Sequence, residues 1–373
     1  MPSSTSSSER LTASDRPGVA QPVPVRDVPA HRGGQVLSGA LLLALLLIGG
    51  WEWHWRAFGA TPGSRDDAAL WARQRARIDH GEGDATVLVG ASRTFFDVQL
   101  PVWEQLTGRR PIQLALNGTS PTTPLEALAD DPNFKGRVLV GVAPDVFFSG
   151  FEYQGGTFKA YGKQSPSDRV GKWLSMHFVE PYLASYDPDF ALFTVIKRQA
   201  WPLRKGMHSG TQVRKLNQAE PDRTNYMWSK VENDPEYKAL TRSIWSEDFH
   251  DPPPTAAELL EQNKTMYLQI ARNAAAVTRL RARGIPVVYM REPSSGDYLA
   301  YENAKFPRSQ AWDSLIAHVH VPGIYYDDYP QLRSSRYEFP EWSHMNRESA
   351  ERYTRELYSI LKEKFPPADG SRW

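Results

Sequence analysis

The sequence predicts an α/β fold in which a parallel sheet lies between helices, carried beside a membrane by one N-terminal helix. Three observations lead there. Short, continuous apolar runs recur at 85–90, 112–116, 138–142 and 285–289, as in strands buried on both faces. Helical stretches separate those runs, which is the alternation of βαβ units and a parallel sheet. Upstream, residues 36–51 read VLSGALLLALLLIGGW without a charge, the composition of a membrane segment.

The first 35 residues are rich in Ser, Pro, Gly and Arg, lack an apolar period and cannot support a core, so they read as a disordered tail. At 1.5 Å per residue the apolar run spans about 24 Å, slightly short of a hydrocarbon core. Extending it to a segment 36–55 gives a workable span, with Glu52 in the interface and Trp51, Trp53 and Trp55 as an aromatic belt. His31 and His54 bracket it and read as interfacial. A cleaved signal peptide is the alternative, but the preceding tail is long and the nearest small-residue site, Ala57-Phe58-Gly59, lies beyond three tryptophans. Arg10, Arg16, Arg26 and Arg32 precede the segment, so the positive-inside rule keeps the N-terminus in the cytoplasm. The expectation is a single-pass protein of the inner (cytoplasmic) membrane with a periplasmic or extracellular C-terminal domain.

The 373 residues are enough to bury a sizeable core. Lys and Arg number 44 against 43 Asp and Glu, so no global field favours nucleic acid. Zero cysteines exclude disulfides, Cys-ligated zinc and a thiol nucleophile. Neither a metal nor a cofactor is called for by any motif.

Residues 56–84 form a linker with an amphipathic stretch at 68–78, followed by a first core part, 85–150. Between 151 and 255 the strand–helix alternation stops, and Trp173, Trp201, Trp228 and Trp245 fall among many tyrosines and prolines. That length is too great for a plain loop and predicts an inserted, mostly helical subdomain. Its aromatics are read either as platforms for sugar rings or as ordinary packing. The stretch 190–205, apolar and then basic, is read as a buried helix or as a segment resting on a membrane surface. A second core part, 256–366, opens with a capping box, Thr255 to Glu258, and Leu259, Met266, Ile270, Val277 and Leu280 follow at near-helical spacing up to Gly284. A last helix, 347–364, is capped by Asn346 and buries Ala350, Tyr353, Leu357, Ile360 and Leu361. Residues 367–373 are a short tail.

Candidate chemistry sits at the ends of the core. Gly90-Ala91-Ser92-Arg93 follows the first apolar run directly, and the carboxyl ends of strands in open parallel sheets face ligand crevices. The motif is not the G-x-S-x-G elbow, because Thr94, Phe95 and Phe96 follow, and a small-Ser turn can also be purely structural. Near the other end, Glu341-Trp342-Ser343-His344 precedes the last helix. A carboxylate three residues ahead of a histidine can fold back onto Nδ1 and leave Nε2 to act as a base. His318 and His320 lack that spacing and flank a probable strand.

A serine after the first strand, a glycine after the second and an acid-x-x-His element before the last helix resemble the layout of the SGNH family of Ser/His esterases and acyltransferases. Gln113-Leu-Ala-Leu-Asn117-Gly118-Thr-Ser120-Pro121 looks like the family's second block. The resemblance covers 85–148 and about 256–362. It implies a three-layer, flavodoxin-like sheet, Ser92 as nucleophile, His344 as base, Glu341 as orienting acid, and the Ser92 and Gly118 N–H groups as oxyanion donors. It further implies an esterase or O-acyltransferase acting on an envelope or exported polysaccharide, beside a membrane-bound acyl-donor protein. Similar anchored proteins serve alginate O-acetylation and lipoteichoic acid D-alanylation. Two departures stand out. The family's third block usually offers an Asn to the oxyanion, whereas the third run here ends Gly141-Val-Ala-Pro-Asp145, and Glu341 replaces the usual Asp. Arg93, Asn117 and Arg291 are candidate substrate-binding residues, with Arg308 a weaker one. For Arg291 a salt bridge to Glu292, Asp297 or Asp145 is the alternative. The rival functions are a non-catalytic scaffold or glycan-binding component of an envelope assembly, and a lipase suggested by the membrane.

Overall fold

Strand β1 (Thr86–Val89) forms where both faces are covered, and all four of its residues are buried. It pairs in parallel with β2 (Ile112–Gln113) on one side and β3 (Arg137–Gly141) on the other. The structure, a computed structural model, describes residues 32–199, 214–250, 254–367, 370 and 373. Most of the expected N-terminal tail, Trp201 and parts of the insertion and C-terminal tail lie outside the described residues. A two-stranded antiparallel hairpin, β4 (Asn217–Ala219) and β5 (Asn225–Met227), belongs to the insertion. Beyond it, β6 (Val287–Arg291) and β7 (Gly323–Tyr325) complete a five-stranded parallel sheet in the order β2-β1-β3-β6-β7. Setting the hairpin aside, the order reverses between β1 and β3, the switch point of a doubly wound sheet.

The expected strands fall on β1, β2, β3 and β6 with ends shifted by up to three residues, β2 stopping at Gln113 rather than at 116. Two elements lie outside the expected set. The strand that His318 and His320 flank is β7, and the two histidines themselves end a helix. Trp312, Leu315 and Val319 share a buried helical face, so Trp312–Val319 is a helix that His320 closes in a left-handed conformation. The fifth strand comes just after it, three residues long and at the sheet's edge. The hairpin was hidden because its strands are short and carry polar residues.

The capping box is formed in both directions, with Thr255 and Glu258 exchanging bonds at the start of helix Ala256–Ala282. That helix packs on Thr122–Asp130, Pro144–Ser149 and Trp312–Val319. Its buried stripe begins only at Met266, and Leu259 is 46% exposed, contrary to the expected core position. The first turns simply extend past the layer they would cover. The last helix, Arg347–Lys364, runs as expected from Asn346, whose side chain accepts the Ser349 N–H. It packs on Ser92–Asp97 and Leu100–Thr107.

The chain divides into two compact units, Met1–Trp51 and Glu52–Trp373. The described part of the first is a helix that continues as Gly33–Phe58, 26 residues with a most apolar stretch of mean hydropathy 1.8 and no buried residue. Its length, about 39 Å at the helical rise, and its composition suffice to cross a membrane. Within the second unit the insertion is not a separate subdomain. Phe190, Leu216, Met227 and Trp228 share one apolar cluster with Phe95 and Phe96 of the helix that begins at Ser92. Arg223, at the turn of the hairpin, pairs with Asp66 through two nitrogens and donates to the carbonyls of Gln113 and Ala115. The insertion thus covers the backbone of edge strand β2, which would otherwise stay open to pairing with another chain.

Close approach fixes the residue at the end of β3. A Cβ on Gly141 would lie 1.7 Å from Thr94 Oγ1 and 2.5 Å from Glu292 Oε1. Gly141→Ala is therefore expected to destabilise the protein by about 3 kcal/mol, read as a lower urea midpoint of the full chain in detergent.

Candidate functional site

The two segments singled out by their residue types, 250 positions apart, do converge. Ser92 is the first residue of a short helix, Ser92–Asp97, directly after β1, and is partly exposed. Its neighbours hold the other segment in place. Arg93 Nε donates to the Ser343 carbonyl at 3.2 Å, Phe96 stacks on the His344 ring at 4.2 Å, and the Met345 N–H donates to Asp97 Oδ1 at 3.0 Å. Phe96, the bulk that rules out a nucleophile elbow, is the surface on which the imidazole lies.

Glu341 folds back as the spacing predicts. Its Oε1 accepts the His344 N–H at 2.7 Å and Nδ1 of the same residue at 2.8 Å. Its Oε2 accepts the indole N–H of Trp245, which comes from the insertion. Between them Trp342 takes a left-handed φ of +73°, a strained setting for a non-glycine residue, and the Ser295 N–H donates to its carbonyl at 2.8 Å. With Nδ1 engaged by the carboxylate, Nε2 is the ring nitrogen left to face another group. That atom is buried and without a hydrogen-bond partner, in a residue only 1% exposed. No hydrogen bond links it to Ser92.

The glycine of the second block lies at the same edge. Leu114 and Leu116 donate to the Leu88 and Gly90 carbonyls, so two residues further along the adjacent chains stand Gly118 and Ser92. Gly118 has a φ of +56°, which a glycine adopts without strain. Asn117 Oδ1 beside it is buried without a hydrogen-bond partner. At the third strand's end Ala143 and Pro144 are buried and offer no side-chain donor.

Arg93 and Arg291 do not face a substrate. They are 1% and 2% exposed, and both pair with Glu302, at 2.8 and 3.0 Å. The ion-pair alternative holds, with Glu302 as the partner rather than Glu292, Asp297 or Asp145. Arg308 is engaged by Asp313 and Asp328. Burial opposes the charge on Glu302, but the two guanidiniums outweigh it and hold the carboxyl below its usual range. Asp97 and Glu292 go the other way. Burial pushes both up, Asp97 far up, although Asp97 accepts the Met345 N–H and Glu292 accepts the Thr94 hydroxyl at 2.5 Å.

Asp97 and Glu302 escaped the sequence reading, which saw Trp245 only as one aromatic of the insertion and Glu292 only as a partner for Arg291. None lies in a motif, and only the preceding strand end marks Glu292 as near the rim. Among the described residues no cluster of His, Asp and Glu is arranged to hold a metal ion. A concavity of about 540 Å³ lies elsewhere, between Gln99, Tyr226 and Arg347. No protein-family model matches the chain, and no curated protein matches it in sequence.

The buried Asp97 carries a pH signature. Its unfolded value is near 3.8 and its folded value well above, so its contribution to stability is complete below the former and lost as pH rises through the latter. Asp97→Asn keeps an oxygen for Met345 and removes that loss. Urea midpoints measured from pH ~4 to ~7 are expected to favour the variant increasingly as pH rises.

Proposed function

We propose that the chain is an SGNH-like serine esterase or O-acyltransferase of the cell envelope, held at the membrane by its N-terminal helix and acting on an acylated glycan. One observation carries the reading: a buried imidazole, oriented through Nδ1 by Glu341, keeps an unpartnered Nε2 while stacked on the helix that Ser92 begins. A buried polar atom left without a bond is costly in a folded protein and calls for a reason. A base awaiting a proton is such a reason. In the proposed reaction Ser92 Oγ attacks the ester carbonyl as its proton passes to His344 Nε2. The oxyanion is held by the N–H groups of Ser92 and Gly118. His344 then returns the proton to the leaving alkoxide, and water or a sugar hydroxyl resolves the acyl-enzyme.

Support for a glycan comes from the lip beside Gly118. Residues 151–153 are clamped to 118–120 by Ser120 N–H to Phe151 O at 2.8 Å and Tyr153 N–H to Gly118 O at 3.0 Å. Phe151 and Tyr153, alternate residues of that extended segment, remain 56% and 74% exposed. A cavity of about 330 Å³ adjoins Tyr153 and is lined by Leu116, Gln154 and Thr157 among others. Rigid rings next to polar groups suit a sugar face with its hydroxyls better than an alkyl chain.

The second reading is a non-catalytic, glycan-binding scaffold. It is favoured by the lack of a Ser92–His344 hydrogen bond and of a third oxyanion donor, a loss worth about 2.7–4 kcal/mol of transition-state stabilisation.

A fluorophosphonate probe applied to the full chain is expected to label Ser92 and to leave Ser92→Ala and His344→Ala unlabelled. An unlabelled but folded wild type at every pH tried selects the scaffold. With O-acetylated xylo-oligosaccharide as substrate, Tyr153→Ala is expected to lower kcat/KM about two- to tenfold, while hydrolysis of vinyl acetate, which has no ring to stack, stays unchanged.

A further inference from the structure

The insertion carries two helices whose amphipathy points the wrong way for a core. In Pro166–Phe178 only Met176 is buried, while Val170, Trp173, Leu174 and Phe178 are exposed. Those positions, i, i+3, i+4 and i+8, make one helical face. Helix Leu192–Lys197 has no buried residue and exposes Leu192 and Phe193, the latter at 78%. Contiguous apolar surface of this kind marks an interaction site.

Both helices begin or end beside the point where the apolar N-terminal run gives way to polar residues. Glu52, the first charged residue after that run, accepts the N–H groups of Ala184 and Ser185, each at 2.9 Å. Arg56 donates to the Tyr182 carbonyl at 2.9 Å, and the Trp55 ring stacks on Phe190 at 4.6 Å. Phe178 and exposed Tyr182 thus precede the gripped loop, and Leu192 follows Phe190 by two residues. A second copy of the chain is the other candidate cover. Continuity with the bilayer exit favours lipid instead, because an anchored chain brings the headgroup region to Glu52 in every copy, whatever its concentration.

We infer that these outward apolar faces form a monotopic membrane-docking surface, seated in the interface of the bilayer that the N-terminal helix crosses. Exposed Arg169 and Lys197 flank the two faces and suit anionic headgroups, the pattern of helices that lie in an interface. The docking holds the domain in one orientation, so that the rim bearing Ser92 and His344 stands at a fixed height above the lipid. The inference rests on reading Gly33–Phe58 as a membrane anchor.

The chain has no cysteine, so single labels report cleanly. Leu174→Cys and Phe193→Cys, with Leu43→Cys and Ser359→Cys as references, carry an NBD fluorophore in the full chain, in nanodiscs of phosphatidylcholine and phosphatidylglycerol with doxyl lipid as quencher. All four positions are exposed, so the labels leave the packing intact. The labels at 174 and 193 are expected to emit to the blue of that at 359 and to be quenched. Emission matching the 359 label while the 43 label is quenched overturns the docking surface and leaves the anchor standing. A blue shift that doxyl lipid does not quench assigns the face to a second copy and also overturns it. An unquenched label at 43 overturns the anchor, and the inference with it.

Discussion

Everything at the rim hangs on one buried carboxylate. Glu302 is shared by Arg93, on the helix after β1, and Arg291, at the end of β6, with Ser294 Oγ donating a further bond at 2.7 Å. Arg93 also reaches the Ser343 carbonyl and lies over the Tyr298 ring. The guanidinium therefore joins the serine helix to the histidine loop, while its charge is balanced from a third segment. Ion pairs so deeply buried contribute little net stability, because desolvation offsets their attraction, yet removing one partner strands the others and costs about 3–5 kcal/mol. Their value here is positional. A hydrophobic replacement could fill the space but would not fix which strand ends meet.

The same logic explains the floor beneath the rim. Thr94 is wedged between Gly90 and Gly141, where any Cβ would collide with its hydroxyl, and that hydroxyl is given to Glu292. Two further carboxylate oxygens, Asp97 Oδ2 and Glu292 Oε2, are buried and lack partners, as does His344 Nε2. Unpartnered polar atoms of this kind gathered around one short helix are uncommon in a packed interior. Native interiors satisfy such atoms unless something else is gained.

Much of this was legible because the signals were local. Four strands announced themselves as apolar runs, the capping box and the Asn346 cap placed two helices to the residue, and the Glu341–His344 spacing fixed a hydrogen bond within one turn. What stayed hidden is non-local. Glu302 lies mid-helix among polar residues and looks like any solvated glutamate, and only tertiary folding makes it the partner of two arginines. Arg93 reads as a substrate clamp in sequence because a cation beside a candidate nucleophile is chemically apt, and burial reverses that reading. Leu259 sits on the right face of its helix but beyond the layer it would cover. Trp245 offers no signal at all, since its partner lies 96 positions away.

That indole bears on the longer acid at position 341. An aspartate in this turn would have one methylene less with which to reach both the backbone and the ring of His344. The glutamate does reach both with a single oxygen, in a turn where Trp342 sits in the left-handed region and its carbonyl is pinned by Ser295. Its second oxygen is then left pointing away from the histidine, and Trp245 satisfies it. The tryptophan ends helix Pro235–Trp245 of the insertion, whose apolar cluster also holds Phe95 and Phe96. A segment without strand–helix alternation thus supplies the brace behind the acid and packs against the helix whose Phe96 lies under the imidazole.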